Sequence, residues 1–255
     1  MALTKEFKKD TLLIKKYDTR AEMGAGTAKD AEAVIADLIA KKGEINMIFA
    51  AAPSQNEVLQ NLLASEIIDW TKINCFHMDE YIGLAEGDPR SFGIYLKEHI
   101  FAHKPFKSVH YIHGWAEDAE AECERYSALL KQYPTDVICL GIGENGHIAF
   151  NDPWVAKFDD EKAVKIVELD EVCRQQQVND GCFPTLDAVP THAITLTIPT
   201  LFSGAHLFCA VPAATKANAV KNTVTGEISE DCPATIMRRH ASAILYCDAD
   251  SGKYI

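Results

Sequence analysis

Short apolar runs alternate with stretches of helical periodicity along most of this chain, and few folds accommodate such an order. Strands separated by helices form a mostly parallel central sheet with helices on both faces. We therefore predict an α/β fold in a single domain, residues 1–255, with no linker. The predicted strands are 47–51, 75–78, 137–140, 193–198, 206–211 and 242–247.

In the segments between these strands, apolar residues recur at helical spacing and predict helices. The first predicted helix covers 27–42 and ends at Gly43, and the last covers 215–223. Further helices are predicted around 58–63, after a cap at Ser91, and at 118–132. Residues 154–188 have no clear period.

The charge and length of the chain limit its partners. The chain has 255 residues and a formal net charge of -12, which argues against nucleic acid as the main partner. A small phosphorylated ligand remains compatible, because it needs only local cations and backbone amides. No stretch approaches the roughly 20 apolar residues of a membrane span, so no membrane partner is expected.

The eight cysteines are arranged like thiols of a reducing compartment. None forms a Cys-x-x-Cys motif, and none pairs with histidine at zinc spacing. The N-terminus has no apolar signal core. We expect a cytoplasmic protein without a metal centre.

A glycine-rich turn follows the strand predicted at 137–140. Three glycines lie between 141 and 146, His147 follows the third, and Asp152 comes five residues later. Glycines permit a sharp turn and a close approach to a ligand. His147 is a candidate proton shuttle, with Asn145 and Asp152 to orient its ring. The alternative is a tight turn with a capping aspartate.

Asp79 lies at the end of the strand predicted at 75–78. It shares a face with His77 if the strand continues that far. A carboxylate that is partly desolvated at a sheet edge has a raised pKa and can act as a general base. The alternative is a solvated loop acid.

Two segments are candidates for binding phosphate. Residues 50–57 lead from a strand through small side chains into a helix start, where free amides suit an anion. However, Ser54 and Glu57 also have the spacing of a capping box, in which Ser54 only caps its own helix. Lys216, near the start of the last helix, is the second candidate; its alternative is an ordinary solvated lysine.

These pieces, in this order, resemble the glucosamine-6-phosphate deaminase/isomerase family over about residues 30–250. The most specific parts are Met78-Asp79-Glu80-Tyr81 with Gly83, and Gly143-x-Asn-Gly-His-Ile-Ala-Phe-Asn-Asp-Pro153. The related 6-phosphogluconolactonases share the sheet and the Gly-His turn, but tend to continue both motifs differently. The resemblance implies a Rossmann-like sheet and favours the deaminase branch.

The resemblance also implies the reaction, which is aldose-ketose isomerisation of a 2-amino-2-deoxyhexose 6-phosphate with loss of ammonia. Asp79 matches the base that moves a proton between C2 and C1. His147 matches the histidine that opens the sugar ring, Asp152 its acidic partner, and Asn145 completes the catalytic set. No metal or organic cofactor is implied. The residues that the resemblance assigns to substrate and phosphate binding are Ala52, Pro53, Ser54, Gly146, Lys216 and, less directly, Arg174.

The chain departs from the commonest family pattern in four places. Asn145 stands where aspartate is usual, and holds the imidazole only through its amide carbonyl. Asp152 replaces glutamate, so its reach has to be restored by loop movement or a water. The phosphate loop is Ala-Ala-Pro-Ser rather than glycine- and threonine-rich. No arginine aligns with the second phosphate cation, because Arg174 aligns with a neighbouring position and Asn179 or Asp180 falls closer.

Several alternatives stay open at this point. The Gly-x-Asn-Gly-His turn resembles galactosamine-6-phosphate deaminases, which give tagatose 6-phosphate. Lactone hydrolysis, with His147 activating water, is a second hypothesis for the enzymatic activity. A non-catalytic sugar-phosphate binder is a third. The segment after Pro153 lacks a match to the anion site of the allosteric hexamers, so we expect no activator control. Assembly into a homo-oligomer is left open.

Overall fold

A computed structural model describes residues 2–179 and 181–255. Its strands are β1 Leu3–Lys9, β2 Leu12–Tyr17, β3 Ile45–Phe49, β4 Ile73–His77, β5 Asp79–Tyr81, β6 Ser108–His110, β7 Val137–Leu140, β8 Val164–Glu168, β9 His192–Leu196, β10 His206–Val211 and β11 Ala243–Cys247. Its α-helices are α1 Arg20–Lys42, α2 Asn56–Leu63, α3 Phe92–Leu96, α4 Ala119–Gln132, α5 Glu171–Asn179, α6 Ile198–Phe202 and α7 Ala217–Thr225.

The described residues form an eight-stranded central sheet in the order β1-β2-β11-β10-β7-β3-β4-β6. Only β1 is antiparallel to its neighbour; the other pairs are parallel. The strand β7 lies between β3 and β10, so the chain order reverses there. Ligands of open α/β sheets bind outside the carboxyl ends of the strands at such a reversal.

Both faces of this sheet are covered, as consecutive side chains of β3 illustrate. Met47 and Phe49 belong to the core that includes residues of α1 and α2. Ile48, between them, belongs to the core that includes residues of α4 and α7. Burial on both sides explains the continuously apolar strands, and the predicted α/β class is confirmed.

The strands β5, β9 and β8 form a second, small antiparallel sheet in the order β5-β9-β8. In the described residues its strands do not pair with those of the central sheet. The chain leaves the central sheet after His77 and enters the small sheet at Asp79, which pairs with Thr195. The strand of His77 does not continue as far as Asp79, so the condition under which the two residues would share a face is not met. The buried ring of His77 contacts the backbone oxygen of Asp79 and accepts from the amide of Ile112.

Several elements differ from the sequence predictions. The helix α1 begins at Arg20, capped by Thr19, because its first turns bury the small residues Gly24 and Gly26 instead of a periodic stripe. Residues 154–188 contain β8 and α5. The strand β8 has only five residues, and α5 buries only Cys173 and Gln177, so neither produces a clear apolar period. The strand predicted at 193–198 ends at Leu196, since Thr197 is the N-cap residue of α6.

Candidate active site

The carboxyl ends of β3, β4, β7 and β10 open onto one pocket. Asp79 and His147 line it together with Ala52, Pro53, Ser54 and Lys216. Residues that lie far apart in the sequence meet here because these strands are neighbours in the parallel part of the sheet.

The glycine turn positions His147 by close packing. The amide of Gly143 donates to the carbonyl of His147 at 2.9 Å, which closes the turn. A Cβ atom on residue 143 would lie 2.1 Å from Cε1 of His147. Glycine is therefore required at 143 so that the imidazole can lie against the backbone.

Asp152 is buried behind His147 and collects several hydrogen bonds. Its Oδ1 lies 2.9 Å from Nδ1 of His147 and accepts from Nδ2 of Asn145 at 2.7 Å. The thiol of Cys173 donates to the same carboxylate. Burial alone would raise the pKa of Asp152, but His147 and the other donors outweigh it, and this pKa lies below its ordinary value. The carboxylate thus stays ionised and holds the proton of His147 on Nδ1, which leaves Nε2 for a substrate.

Two predictions about this cluster are wrong. Asp152 reaches His147 directly, so neither loop movement nor a water is needed to restore the missing methylene. Asn145 does not hold the imidazole ring; its Oδ1 accepts from the backbone amide of His147, and its amide group contacts Asp152. Asparagine suits this place because it donates to a carboxylate and accepts from an amide simultaneously.

Asp79 is the second acidic group of the pocket and has a very different environment. It is only 8% exposed, and none of the described residues donates a hydrogen bond to its carboxylate. Burial raises the pKa of Asp79 well above its ordinary value, and the neighbouring Glu80 adds to the effect. A carboxylate without donors is a stronger proton acceptor than a solvated one, which suits a general base.

Glu80 faces away from this pocket and serves the fold. Its carboxylate accepts from the amides of Tyr81, Phe92 and Gly93, and thereby anchors α3. Burial raises the pKa of Glu80 to about 7, although these three donors oppose the rise. Adjacent acids on β5 therefore have separate tasks, because successive strand residues point to opposite sides.

Two backbone turns form the end of the pocket that suits an anion. Ser54 lies in a helical turn, Pro53–Gln55, where its hydroxyl accepts from the side-chain amide of Gln55 and keeps its own proton available. Lys216 is 7% exposed and follows Ala213, whose φ of 82° is unusual for a side-chain-bearing residue. The carboxylate of Asp248 accepts a hydrogen bond from the backbone amide of Ala213 and stabilises this backbone conformation.

The capping-box alternative for Ser54 is wrong. The structure has no side-chain cap at the start of α2, and Glu57 pairs with Arg20 at 2.7 Å. Of the residues predicted to contact substrate, Gly146 and Arg174 do not line the pocket. Gly146 packs beside Cys232, and the guanidinium of Arg174 donates to the carbonyls of Leu186 and Val189. Asn179 also lies outside the lining, whereas Asp180 is outside the described residues.

Sequence reasoning missed several residues of the site. The pocket lining also includes Arg20, Gln176, Gln177 and Thr215. Cys173 lies outside the lining and donates a hydrogen bond to Asp152. Arg20 carries no motif and lies more than thirty residues before the first predicted site residue, so no local signal identifies it. The two glutamines belong to α5, whose polar composition conceals the helix.

His147, Asp152 and Cys173 also form a cluster of potential metal ligands within 4.8 Å of one another. Burial and the adjacent Asp152 raise the pKa of the Cys173 thiol far above its ordinary value. Metal binding needs a thiolate, so the donor set does not fit a resident metal. Cys173 acts as a hydrogen-bond donor instead.

With this geometry established, comparison with known proteins decides the family. The sequence model of the family described as glucosamine-6-phosphate isomerases/6-phosphogluconolactonase matches residues 18–246. The chain belongs to this family. The resemblance inferred from the two motifs is thereby confirmed, and the match includes both halves of the pocket.

Relatives in this glucosamine-6-phosphate isomerase family carry informative names. A protein of Bacillus cereus (strain G9842) named glucosamine-6-phosphate deaminase is 39% identical over 184 residues, which is 72% of this chain and 68% of that protein. A Listeria welshimeri protein of the same name is 33% identical over 213 residues, 84% of this chain and 89% of the relative.

Solved structures of the family have the same fold. A monomeric glucosamine-6-phosphate deaminase superposes with a TM-score of 0.85 at 29% identity, covering 95% of this chain and 99% of the other. A 6-phosphogluconolactonase from Thermotoga maritima gives 0.75 at 17% identity, with 93% and 99% covered, and supports the fold alone. Among the described residues, no helix is both long and apolar enough to cross a membrane.

Proposed function

We propose that this protein converts a 2-amino-2-deoxyhexose 6-phosphate to a ketohexose 6-phosphate and ammonia. The observation that carries the proposal is one pocket with two separate proton-transfer groups. One is the Asp79 carboxylate, and the other is His147 backed by Asp152. The deaminase names of relatives that are 33–39% identical support the same reaction.

His147 opens the sugar ring in this proposal. The ring oxygen must gain a proton while the C1 hydroxyl loses one, which gives the open-chain aldehyde. Nε2 of His147 is the atom that supplies and accepts these two protons in the proposal. Asp152 stabilises the positive charge of the imidazole ring while His147 is protonated, as the acid does in other histidine-carboxylate pairs.

Asp79 then isomerises the open chain. Its carboxylate removes the proton from C2 and the aldehyde oxygen is protonated, which gives an enol that bears the amino group on C2. The same proton returns to C1, and C2 becomes an imine. Water adds to C2 and ammonia leaves, so that the sum is hexosamine phosphate plus water to ketohexose phosphate plus ammonia.

Lys216, Ser54 and the loop Ala52-Pro53 are proposed to bind the 6-phosphate. Lysine supplies a point charge, and the free hydroxyl proton of Ser54 can be donated to a phosphate oxygen. A phosphate held at this end would set the sugar carbons relative to the two proton-transfer groups.

Glucosamine 6-phosphate is the proposed substrate, with its C4 epimer, galactosamine 6-phosphate, as the second candidate. Asn145 suggested the epimer, but it lies behind Asp152 and is not part of the pocket lining. Asn145 can therefore affect recognition of the C4 hydroxyl only indirectly, through other residues. We also propose the cytoplasm as the location, because the eight cysteines are free thiols. A monomeric assembly is proposed by analogy with the similar monomeric glucosamine-6-phosphate deaminase.

The test is to incubate the purified protein separately with each amino sugar phosphate and to measure ammonia and the ketose product. The proposal expects equal amounts of ammonia and ketohexose 6-phosphate from at least one of them. A 6-phosphogluconolactone is the matched third substrate. Acid release from the lactone without ammonia from either amino sugar would assign lactone hydrolysis. Ligand-induced thermal stabilisation without any turnover would assign a binder instead.

A further inference from the structure

A second cation borders the phosphate end of the pocket and comes from an unexpected element. Arg20 is the first residue of α1, and its side chain lines the pocket with Pro53, Ser54 and Lys216. It remains 38% exposed, so a ligand can reach it. Arg174, the arginine closest to the expected place in the sequence, is occupied by backbone carbonyls outside the pocket.

Arg20 is held in place by two contacts on the side of α2. Its Nε donates to Oε1 of Glu57 at 2.7 Å, and its Nη2 donates to the carbonyl of Pro53 at 2.5 Å. Both partners belong to the segment that carries Ser54. The guanidinium is therefore fixed to the same loop that would contact the anion.

The close approach of α1 to α2 permits this arrangement. A Cβ atom on Gly24 would lie 2.3 Å from Cβ of Glu57, so α1 passes directly over that residue. Glu57 is absent from the pocket lining, and its Oε2 is buried without a hydrogen-bond partner. The negative charge of Glu57 thus orients Arg20 without facing the anion.

The hydrogen-bond inventory of arginine leaves donors for a ligand. A guanidinium has five N–H groups, and the contacts to Glu57 and Pro53 account for two of them. The others are both N–H groups of Nη1 and one of Nη2. Two such groups in one plane match two oxygens of a phosphate.

We infer that Arg20 is the second phosphate-binding cation of this site and acts with Lys216 on the 6-phosphate of the substrate. The inference rests on the proposed function for the identity of the ligand. It assigns the task to the start of α1, whereas the sequence pattern suggested the region of Arg174.

The test compares Arg20→Met with Arg239→Met, an exposed arginine outside the pocket lining. Losing a charged hydrogen-bonding group from the phosphate should raise KM for the amino sugar phosphate about tenfold to a hundredfold. The value of kcat should change less than about threefold, because Arg20 does not touch the reacting carbons. Arg239→Met should leave both constants unchanged, and Arg20→Lys should give an intermediate KM.

A direct binding measurement separates this inference from the proposed function. Inorganic phosphate is titrated into the wild type and each variant by calorimetry, without turnover. Arg20→Met should weaken phosphate binding by the same factor as KM, whereas Glu57→Gln, which removes only the orienting charge, should not weaken it more than about threefold. Thermal melting checks that each variant is folded. Equal phosphate affinity in wild type and folded Arg20→Met, or no phosphate binding by the wild type, would overturn the inference even if ammonia is released.

Discussion

Asp79 and Asp152 are two aspartates of one pocket with opposite environments. Asp152 has three donors, and its pKa is held below the ordinary value despite burial. Asp79 lies buried beside Glu80, and its pKa is raised. Such a separation of environments assigns different tasks to chemically identical groups. Asp152 keeps its charge to support His147, while Asp79 exchanges a proton with carbon.

The raised pKa of Asp79 predicts that this residue destabilises the fold at neutral pH. Deprotonating a group with a raised folded-state pKa costs more in the folded than in the unfolded chain. The cost is absent below the pKa that Asp79 has in the unfolded chain, grows as pH rises from there towards the raised pKa of the folded chain, and is complete above it. Asp79→Asn should therefore raise Tm at pH 8 by about 2–4 °C for each kcal/mol recovered, and should leave Tm nearly unchanged at pH 4.

Asp250→Asn is the matched control for this comparison, because Asp250 is exposed. Its melting temperature should follow the wild type at both pH values. Thermal melts of the three proteins at pH 4 and pH 8 provide the measurement. A lower Tm for Asp79→Asn at pH 8 would contradict the account of this carboxylate.

Cys173 is predicted to support catalysis through its hydrogen bond to Asp152. Cys173→Ala removes a donor that lowers the pKa of Asp152, so the acid limb of the kcat/KM profile should move to higher pH. We expect kcat/KM at neutral pH to fall about tenfold, while Cys173→Ser, which keeps a hydroxyl donor, should lose less than about threefold.

Cys209→Ala controls for the lost volume, because Cys209 is equally buried on β10 and does not line the pocket. That variant should lose stability while keeping its pH profile. If Cys173→Ala and Cys209→Ala behave alike, the thiol of Cys173 contributes packing only.

Among the elements, the strand β9 connects the two halves of the site. Thr195 pairs with Asp79 across the small sheet, and its hydroxyl accepts from the amide of Phe150 in the glycine turn at 3.1 Å. The neighbouring carbonyl of Leu196 accepts from the side chain of Asn151 in that turn. The position of Asp79 relative to His147 therefore depends on a strand that contributes no pocket-lining residue.

Thr195→Val tests this connection. The change keeps the shape of the side chain but leaves the buried amide of Phe150 without its acceptor, which should cost about 1–3 kcal/mol of unfolding free energy. The value of kcat should fall as well, because the glycine turn loses its tie to β9. Urea unfolding and steady-state kinetics measure both effects.

Thr225→Val serves as the control, since Thr225 is exposed at the end of α7 and its hydroxyl bonds only within that helix. A Thr195→Val protein that is destabilised yet retains full kcat would show that β9 stabilises the fold without aligning the site.

Considering the molecule as a whole, the sequence predicted the parts of the site that carry local patterns. The glycine turn and the acid after β4 are such patterns, because a strand end and its polar residues are neighbours in sequence. Arg20 and Cys173 have no pattern of this kind, since packing between distant elements brings them to the site. The contacts of Asn145 could not be predicted from the sequence either, because its side-chain amide has both donors and acceptors and can pair with many groups.

The net charge of -12 is likewise uninformative about the pocket. Arg20 and Lys216 lie together in a lining whose single acid, among the described residues, is Asp79. A locally cationic end within an acidic molecule is what a small phosphorylated ligand requires. The net charge of the whole chain argues against a nucleic acid as the main partner and is compatible with a ligand that carries a single phosphate.

The central claim is that Asp79 isomerises a hexosamine 6-phosphate inside this pocket. The most direct measurement is ammonia release from glucosamine 6-phosphate and galactosamine 6-phosphate by the wild type, Asp79→Asn and Asp250→Asn. We predict ammonia and ketose in equal amounts from the wild type and Asp250→Asn, and a kcat about 10²–10⁴-fold lower for Asp79→Asn. Undiminished ammonia release by Asp79→Asn, or none from the wild type with either sugar, would contradict the account.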